Sequence, residues 1–180
     1  GFRSIEANAL SGFGFASLIE LELSHNHFEQ ELPPGLFSGP SLTRLSKINL
    51  SHNQLRFLAK NTFKSLTNLQ ELNLSHNLLE RIDKDAFNLP AAEHQMRKLD
   101  LSFNRLSELE SKTFEPFSLC PITITLTGNS VDVLDENLFK DLSDPNARVI
   151  FHLRSVTNFY SLDAFYNELV EFSTEKSSVI

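Results

Sequence analysis

One nine-residue phrase recurs along the chain and limits what it can fold into. It reads Leu18-Ile-Glu-Leu21-Glu-Leu23-Ser-His-Asn26, then Leu45-Ser-Lys-Ile48-Asn-Leu50-Ser-His-Asn53, Leu69-Gln-Glu-Leu72-Asn-Leu74-Ser-His-Asn77 and Met96-Arg-Lys-Leu99-Asp-Leu101-Ser-Phe-Asn104. A looser fifth copy is Ile124-Thr-Leu126-Thr-Gly-Asn129. Asn53 follows Asn26 by 27 residues, and the next steps are 24, 27 and 25. A period of this length marks stacked supersecondary units, none of which can bury its apolar side without its neighbours.

The Leu-x-Leu alternation in each copy sends one set of side chains inward and the other outward, which predicts a short strand. Stacked copies then make a parallel sheet. Behind each Asn an apolar residue follows two on, another five on and an aromatic ten on: Leu55, Leu58 and Phe63; Leu79, Ile82 and Phe87; Leu106, Leu109 and Phe114; Val131, Leu134 and Phe139. The first repeat carries one extra residue here, giving Phe28, Leu32 and Phe37. The inward Leu pairs and the facing Phe column are the expected core. Asn26, Asn53, Asn77, Asn104 and Asn129 fall where the strand turns away, and a side-chain amide can serve both donors and acceptors of the buried backbone there. Replacing Asn77 with Leu is expected to cost roughly 1–3 kcal/mol.

The pattern LxxLxLxxNxLxxLxxxxF resembles the leucine-rich repeat family in its "typical" subclass, over nearly the whole chain. Repeat length and the Ala86-Phe87 and Ala164-Phe165 pairs are similar to animal extracellular members, Toll-type ectodomains and small matrix proteoglycans, and more loosely to the non-catalytic subunits of luciferin monooxygenases. The resemblance implies an α/β repeat fold: a curved solenoid with a parallel concave sheet of short strands, a mostly irregular convex side and an Asn ladder. It also implies an extracellular or cell-surface protein, with the cytoplasm as the alternative. The chain departs from those families in lacking Cys-rich caps.

The expected organisation is a partial repeat at 1–17, five repeats at 18–145, a degenerate last repeat with a cap at 146–173, and a tail at 174–180. Phe2, Ile5 and Leu10 fit the positions that follow an Asn, so the chain is expected to begin inside a repeat. At the far end Val149–Arg154 aligns as a sixth strand, with Arg154 in place of Asn. Phe165, Leu169 and Phe172 are spaced as on one face of a helix, which predicts a helical cap over Leu162–Phe172.

Composition narrows the function. Thirty Leu in 180 residues serve the repeat, and the formal net charge of −7 offers no general attraction to phosphate backbones, so nucleic acid is not an expected partner. No apolar run approaches the roughly 20 residues of a membrane-spanning helix. The lone Cys120 allows no internal disulfide and reads as a core residue. Neither a phosphate-binding Gly loop, nor a nucleophile elbow, nor a paired-Cys motif is present, so no enzyme and no cofactor are expected.

The outward strand positions are the expected binding surface. One column runs Glu20, Lys47, Glu71, Lys98, Thr123, in which alternating signs can pair across strands. A second runs Glu22, Asn49, Asn73, Asp100, Thr125, followed by Ser24, Ser51, Ser75, Ser102 and Thr127, whose short side chains are expected to leave room for an incoming protein. The expected ligand-binding residues are Glu22, Lys47, Asn49, Glu71, Asn73, Lys98 and Asp100. His25, His52 and His76 form a third column, a weak zinc candidate that reads foremost as the repeat's ordinary filling. Asn49-Leu-Ser51 and Asn73-Leu-Ser75 match the glycosylation pattern through the repeat itself, and crowding argues against their use. Three roles follow: a receptor or adhesion module with a protein ligand, a structural subunit stabilising a partner through an apolar patch around Phe15, Phe57 or Phe159, and an intracellular adaptor. The oligomeric state is not fixed by the sequence.

Overall fold

A computed structural model describes residues 1–89, 95–131, 138–140, 142–151 and 170–172 of the chain. Its strands, in chain order, are β1 (Glu20–Glu22), β2 (Glu29–Gln30), β3 (Lys47–Asn49), β4 (Gln54–Leu55), β5 (Phe57–Leu58), β6 (Glu71–Asn73), β7 (Arg81–Ile82), β8 (Lys98–Asp100), β9 (Thr123–Thr125), β10 (Arg148–Phe151) and β11 (Val170–Phe172). Each Leu-x-Leu phrase supplies one strand of a parallel sheet ordered β1-β3-β6-β8-β9-β10-β11. The register stacks equivalent positions: Leu21, Ile48, Leu72, Leu99, Ile124 and Val149 lie side by side.

The far side of each coil is irregular. β2 pairs with β4 and β5 with β7 in short parallel ribbons, and 3-10 turns occur at Phe13–Phe15, Pro40–Leu42 and Glu115–Phe117. Among the described residues there is no α-helix, so the architecture is a β-solenoid rather than an alternation of strand and helix. The expected cap helix meets a correction. Its end, Val170–Phe172, is strand β11 paired with β10, while residues 162–169 lie outside the described residues. A parallel neighbour satisfies the β10 backbone directly, which a helix laid across the edge would not. The expected sixth strand coincides with β10, although Arg154 and the tail lie outside the described residues.

Packing follows the two apolar columns. Ile48, Leu50, Leu72, Leu74, Leu99 and Leu101 are buried beneath the sheet. Facing them, Phe37, Phe63, Phe87, Phe114 and Phe139 stack with centroids 5.6, 6.2, 6.4 and 5.5 Å apart. Burying rings of this size contributes much of the favourable free energy, with about 0.5–1.5 kcal/mol more per well-placed ring pair. The solenoid weakens toward its first coil, where Leu18, Leu21 and Leu23 are only partly buried because β1 has a neighbour on one side.

The Asn column is a hydrogen-bonded ladder. Asn53 Nδ2 donates to the carbonyls of Leu23 (3.0 Å), Leu50 (3.0 Å) and Ser51 (3.3 Å), and its Oδ1 accepts from the Phe28 N–H at 3.2 Å. Asn77 and Asn104 repeat this toward Leu50 and Leu74, accepting from Leu55 and Leu79. Asn129 bonds Leu101 and Leu126 and accepts from Leu106, and Asn26 accepts from Phe2. Each amide therefore ties its coil to the one before it.

Candidate functional site on the concave sheet

The strand alternation that buries Ile48 and its equivalents necessarily projects Lys47 and Asn49 outward. In register, Glu20, Lys47, Glu71, Lys98 and Thr123 form one outward column, and Glu22, Asn49, Asn73, Asp100 and Thr125 the next. Between them lies a shallow hollow of about 210 Å³ lined by Glu20, Glu22, Lys47, Asn49, Glu71, Asn73 and Lys98. Six of the seven residues expected to bind a ligand line this hollow, and Asp100 stands beside Asn73 at its margin.

The charges are unevenly satisfied. Lys47 Nζ sits 3.5 Å from Glu20 and 3.4 Å from Glu71, and the Glu71 and Glu20 carboxylates raise its pKa above the ordinary lysine value. Lys47 and Glu71 are about half exposed and Glu20 about two-thirds, so these pairs order the surface more than they stabilise the fold. Lys98, though level with Glu71, has no carboxylate within ion-pair distance among the described residues. The alternating pattern in the sequence did not distinguish these two lysines.

The second column ends the strands. Glu22 Oε1 accepts from the Ser24 N–H at 2.8 Å, Asn49 and Asn73 accept from Ser51 and Ser75 at 3.1 and 3.0 Å, and Asp100 Oδ1 accepts from the Ser102 N–H at 3.1 Å and its hydroxyl at 2.6 Å. Asn49 Nδ2 also donates to Glu22 Oε2 at 2.8 Å. These bonds, the Ser24 contact foremost, hold the Glu22 carboxyl below the ordinary glutamate value. They also correct the expectation for the serines. Ser51, Ser75 and Ser102 are buried rather than presented to a ligand, because the chain bends inward after the second outward residue.

At that bend the backbone turns left-handed: φ is 55° at His25, 54° at His52, 53° at His76 and 53° at Phe103, and 75° at Gly128. Only Gly adopts this region freely, and His is among the side chains that visit it. The three imidazoles stack face to face at centroid separations of 4.3 Å and the Phe103 ring continues the stack at 4.5 Å. Among the described residues no group of three or more His, Cys, Asp or Glu side chains is arranged to hold a metal ion. Gly128, at the place of a His, was the one sequence signal that this column needs positive φ.

Of the residues expected in an apolar patch, Phe15 packs on the core, Phe57 lies half-buried under Arg81 at 5.1 Å, and Phe159 lies outside the described residues. Among the described residues the large exposed apolar side chains are Phe2, Ile19, Phe103 and Leu119. Cys120 is buried, and its thiol is pushed up to about 11 chiefly by desolvation.

Leucine rich repeat family models match residues 43–91 and, separately, 17–39 and 95–117, together more than half the chain. The chain is a leucine-rich repeat protein. A solved structure of the Toll–Spatzle complex of Drosophila, in its glycosylated form, contains a chain that superposes with a TM-score of 0.58 at 23% identity over 87% of this leucine-rich repeat chain. At that identity the likeness is one of fold, and the leucine-rich repeat chain spans 23% of that longer chain. No curated protein matches it. No helix among the described residues of this leucine-rich repeat protein is long and apolar enough to cross a membrane.

Proposed function

We propose that this leucine-rich repeat protein is a non-enzymatic recognition scaffold that holds a protein ligand on its concave sheet, as a receptor or adhesion-type ectodomain does. The observation that carries the reading is the imbalance along the outward columns. Lys47 is saturated by two carboxylates, whereas Lys98, Glu22 and Asp100 have no opposite charge within ion-pair distance among the described residues. Unmatched charges on a broad, shallow, polar sheet suit a protein surface with complementary groups better than a small substrate, which favours a deep apolar pocket. One solved structure with a similar fold is a Toll–Spatzle complex, a molecular hub in Drosophila development and innate immunity, and this supports extracellular recognition as the setting.

The test is charge reversal against whatever protein co-purifies with the chain from its native source. Lys98→Glu is expected to weaken the isolated complex by tenfold or more, as for a buried interfacial charge left unpaired. Leu119→Ser, at an exposed apolar residue outside the sheet, is expected to leave it unchanged. The opposite pattern assigns the binding to a structural-subunit role and overturns the concave-face reading.

A further inference from the structure

His25, His52, His76 and Phe103 form an uninterrupted stack of rings on the molecular surface, at interplanar angles of 8°, 9° and 16°. All four residues are exposed, Phe103 at 51%. Stacking covers the ring faces and leaves the edges, with their N–H and ring nitrogen, turned to solvent. Alongside the ladder runs the column Glu22, Asn49, Asn73, Asp100, which is charged only at its two ends. Three strand steps of about 4.8 Å separate those ends by about 14 Å, close to the span of residues i and i+4 in an extended peptide, about 13 Å.

We propose that this ladder, together with Glu22 and Asp100, is a docking strip for a basic protein segment, occupied while the imidazoles are neutral and vacated when they take up protons. The inference rests on the concave-face reading and adds to it one basic segment of the ligand and its control, the acidic group that meets Lys98 lying elsewhere on that ligand. Glu22 and Asp100 receive two cations four residues apart. The neutral ring nitrogens between them accept hydrogen bonds from guanidinium groups. Protonation turns those acceptors into donors and sets new positive charge beside the bound cations.

The groups facing the ladder are few. Glu22, Asp100, Glu20, Lys47, Glu71 and Lys98 lie on the sheet side, Arg105 and His27 on the far side of the bend, and the Gly1 amino terminus beside the His25 backbone. His27 Nδ1 is within hydrogen-bond reach of Gln54 Nε2 at 3.3 Å. His52, with an imidazole on each side, is held below the ordinary histidine value by desolvation first and then by His76 and His25. Glu22 is held below the ordinary carboxylate value, so it keeps its charge throughout the range where histidine titrates.

The probe is acetyl-Arg-Gly-Gly-Gly-Arg-amide, titrated into the isotopically labelled chain at pH 7.5 and pH 5.5 by NMR. The expected result is a shift of the Asn49 and Asn73 side-chain amides at pH 7.5 and affinity about tenfold lower at pH 5.5. Glu22→Gln with Asp100→Asn is expected to weaken binding at both pH values, with Asn49 and Asn73 showing that an amide serves this position. His25→Phe, His52→Phe and His76→Phe together are expected to abolish the pH dependence, and His52→Phe alone to reduce it, since Phe103 shows that the column accepts a phenyl ring. A pH dependence that survives in the Phe variants overturns the switch while leaving the concave-face reading standing. Equal affinity for a peptide with its arginines adjacent overturns the strip. Absence of binding at pH 7.5 also overturns it, and the Lys98→Glu result then decides the concave-face reading independently.

Discussion

The phenyl ring of Phe103 lies across Gly128 so closely that a Cβ placed on Gly128 would stand 2.6 Å from Phe103 Cδ1. The next coil has no ring at this level, and Phe103 leans into the space. Gly128→Ala therefore meets two penalties, a side chain at φ 75° and a displaced ring. The expected loss is about 1–3 kcal/mol in urea unfolding. Combining it with Phe103→Ala should relieve the steric part, and purely additive losses would count against the contact.

Asn77→Leu is expected to cost about 1–3 kcal/mol, because it orphans the buried Leu55 N–H while the Leu50 carbonyl keeps the Asn53 amide as a donor. Asn26→Leu, at the partly buried first rung, should cost less. Paired unfolding curves of the two variants check the order.

Stability should depend on His52 in a defined direction. Its folded pKa lies below the ordinary histidine value of 6.5, so its contribution is present above pH 6.5 and is lost as the pH falls from there through the folded value. His52→Phe should flatten the fall in urea midpoint between pH 7.5 and pH 5. An unchanged slope would refute the assignment to this ring.

Lowered as it is, the Glu22 carboxyl works on the acid side. Its contribution is present above the ordinary glutamate value of 4.5 and lost as the pH falls through the folded value. Glu22→Gln should therefore differ from the parent most near neutral pH and converge with it in acid, measured by thermal midpoints across pH 2.5–7.

Cys120 should be inert in the folded protein. Burial and a thiol pKa of about 11 leave almost no thiolate at pH 7.5. A disulfide-exchange reagent is expected to react only at the rate of unfolding, and rapid labelling without denaturant would show the site to be open.

The fold was legible because its signal is redundant. Leu50, Leu74 and Leu101 occupy one place in successive copies, so a single period places them in one buried column. Asn53, Asn77 and Asn104 likewise announced their ladder, since a polar residue fixed among apolar ones needs backbone partners. The site was legible only as columns. Ser51 reads as the next outward residue of an alternating strand, yet it is buried, because Asn49 caps the strand and the left-handed His52 redirects the chain. At the last coil, Phe165, Leu169 and Phe172 have helical spacing, but Phe172 is in a strand, where a neighbouring backbone outweighs local periodicity.

The amino-acid sequence by itself determined the repeat, the parallel stacking, the apolar and aromatic columns and the Asn ladder, since a periodic pattern of burial has one way to bring equivalent residues together. Tertiary structure alone decided that Lys47 is doubly paired and Lys98 is not, that the serines turn inward, and that three imidazoles and a phenyl ring share one exposed stack. Those outcomes depend on side-chain reach and on the backbone angle at the bend, which vary within ångströms and degrees while the letters of the repeat stay the same.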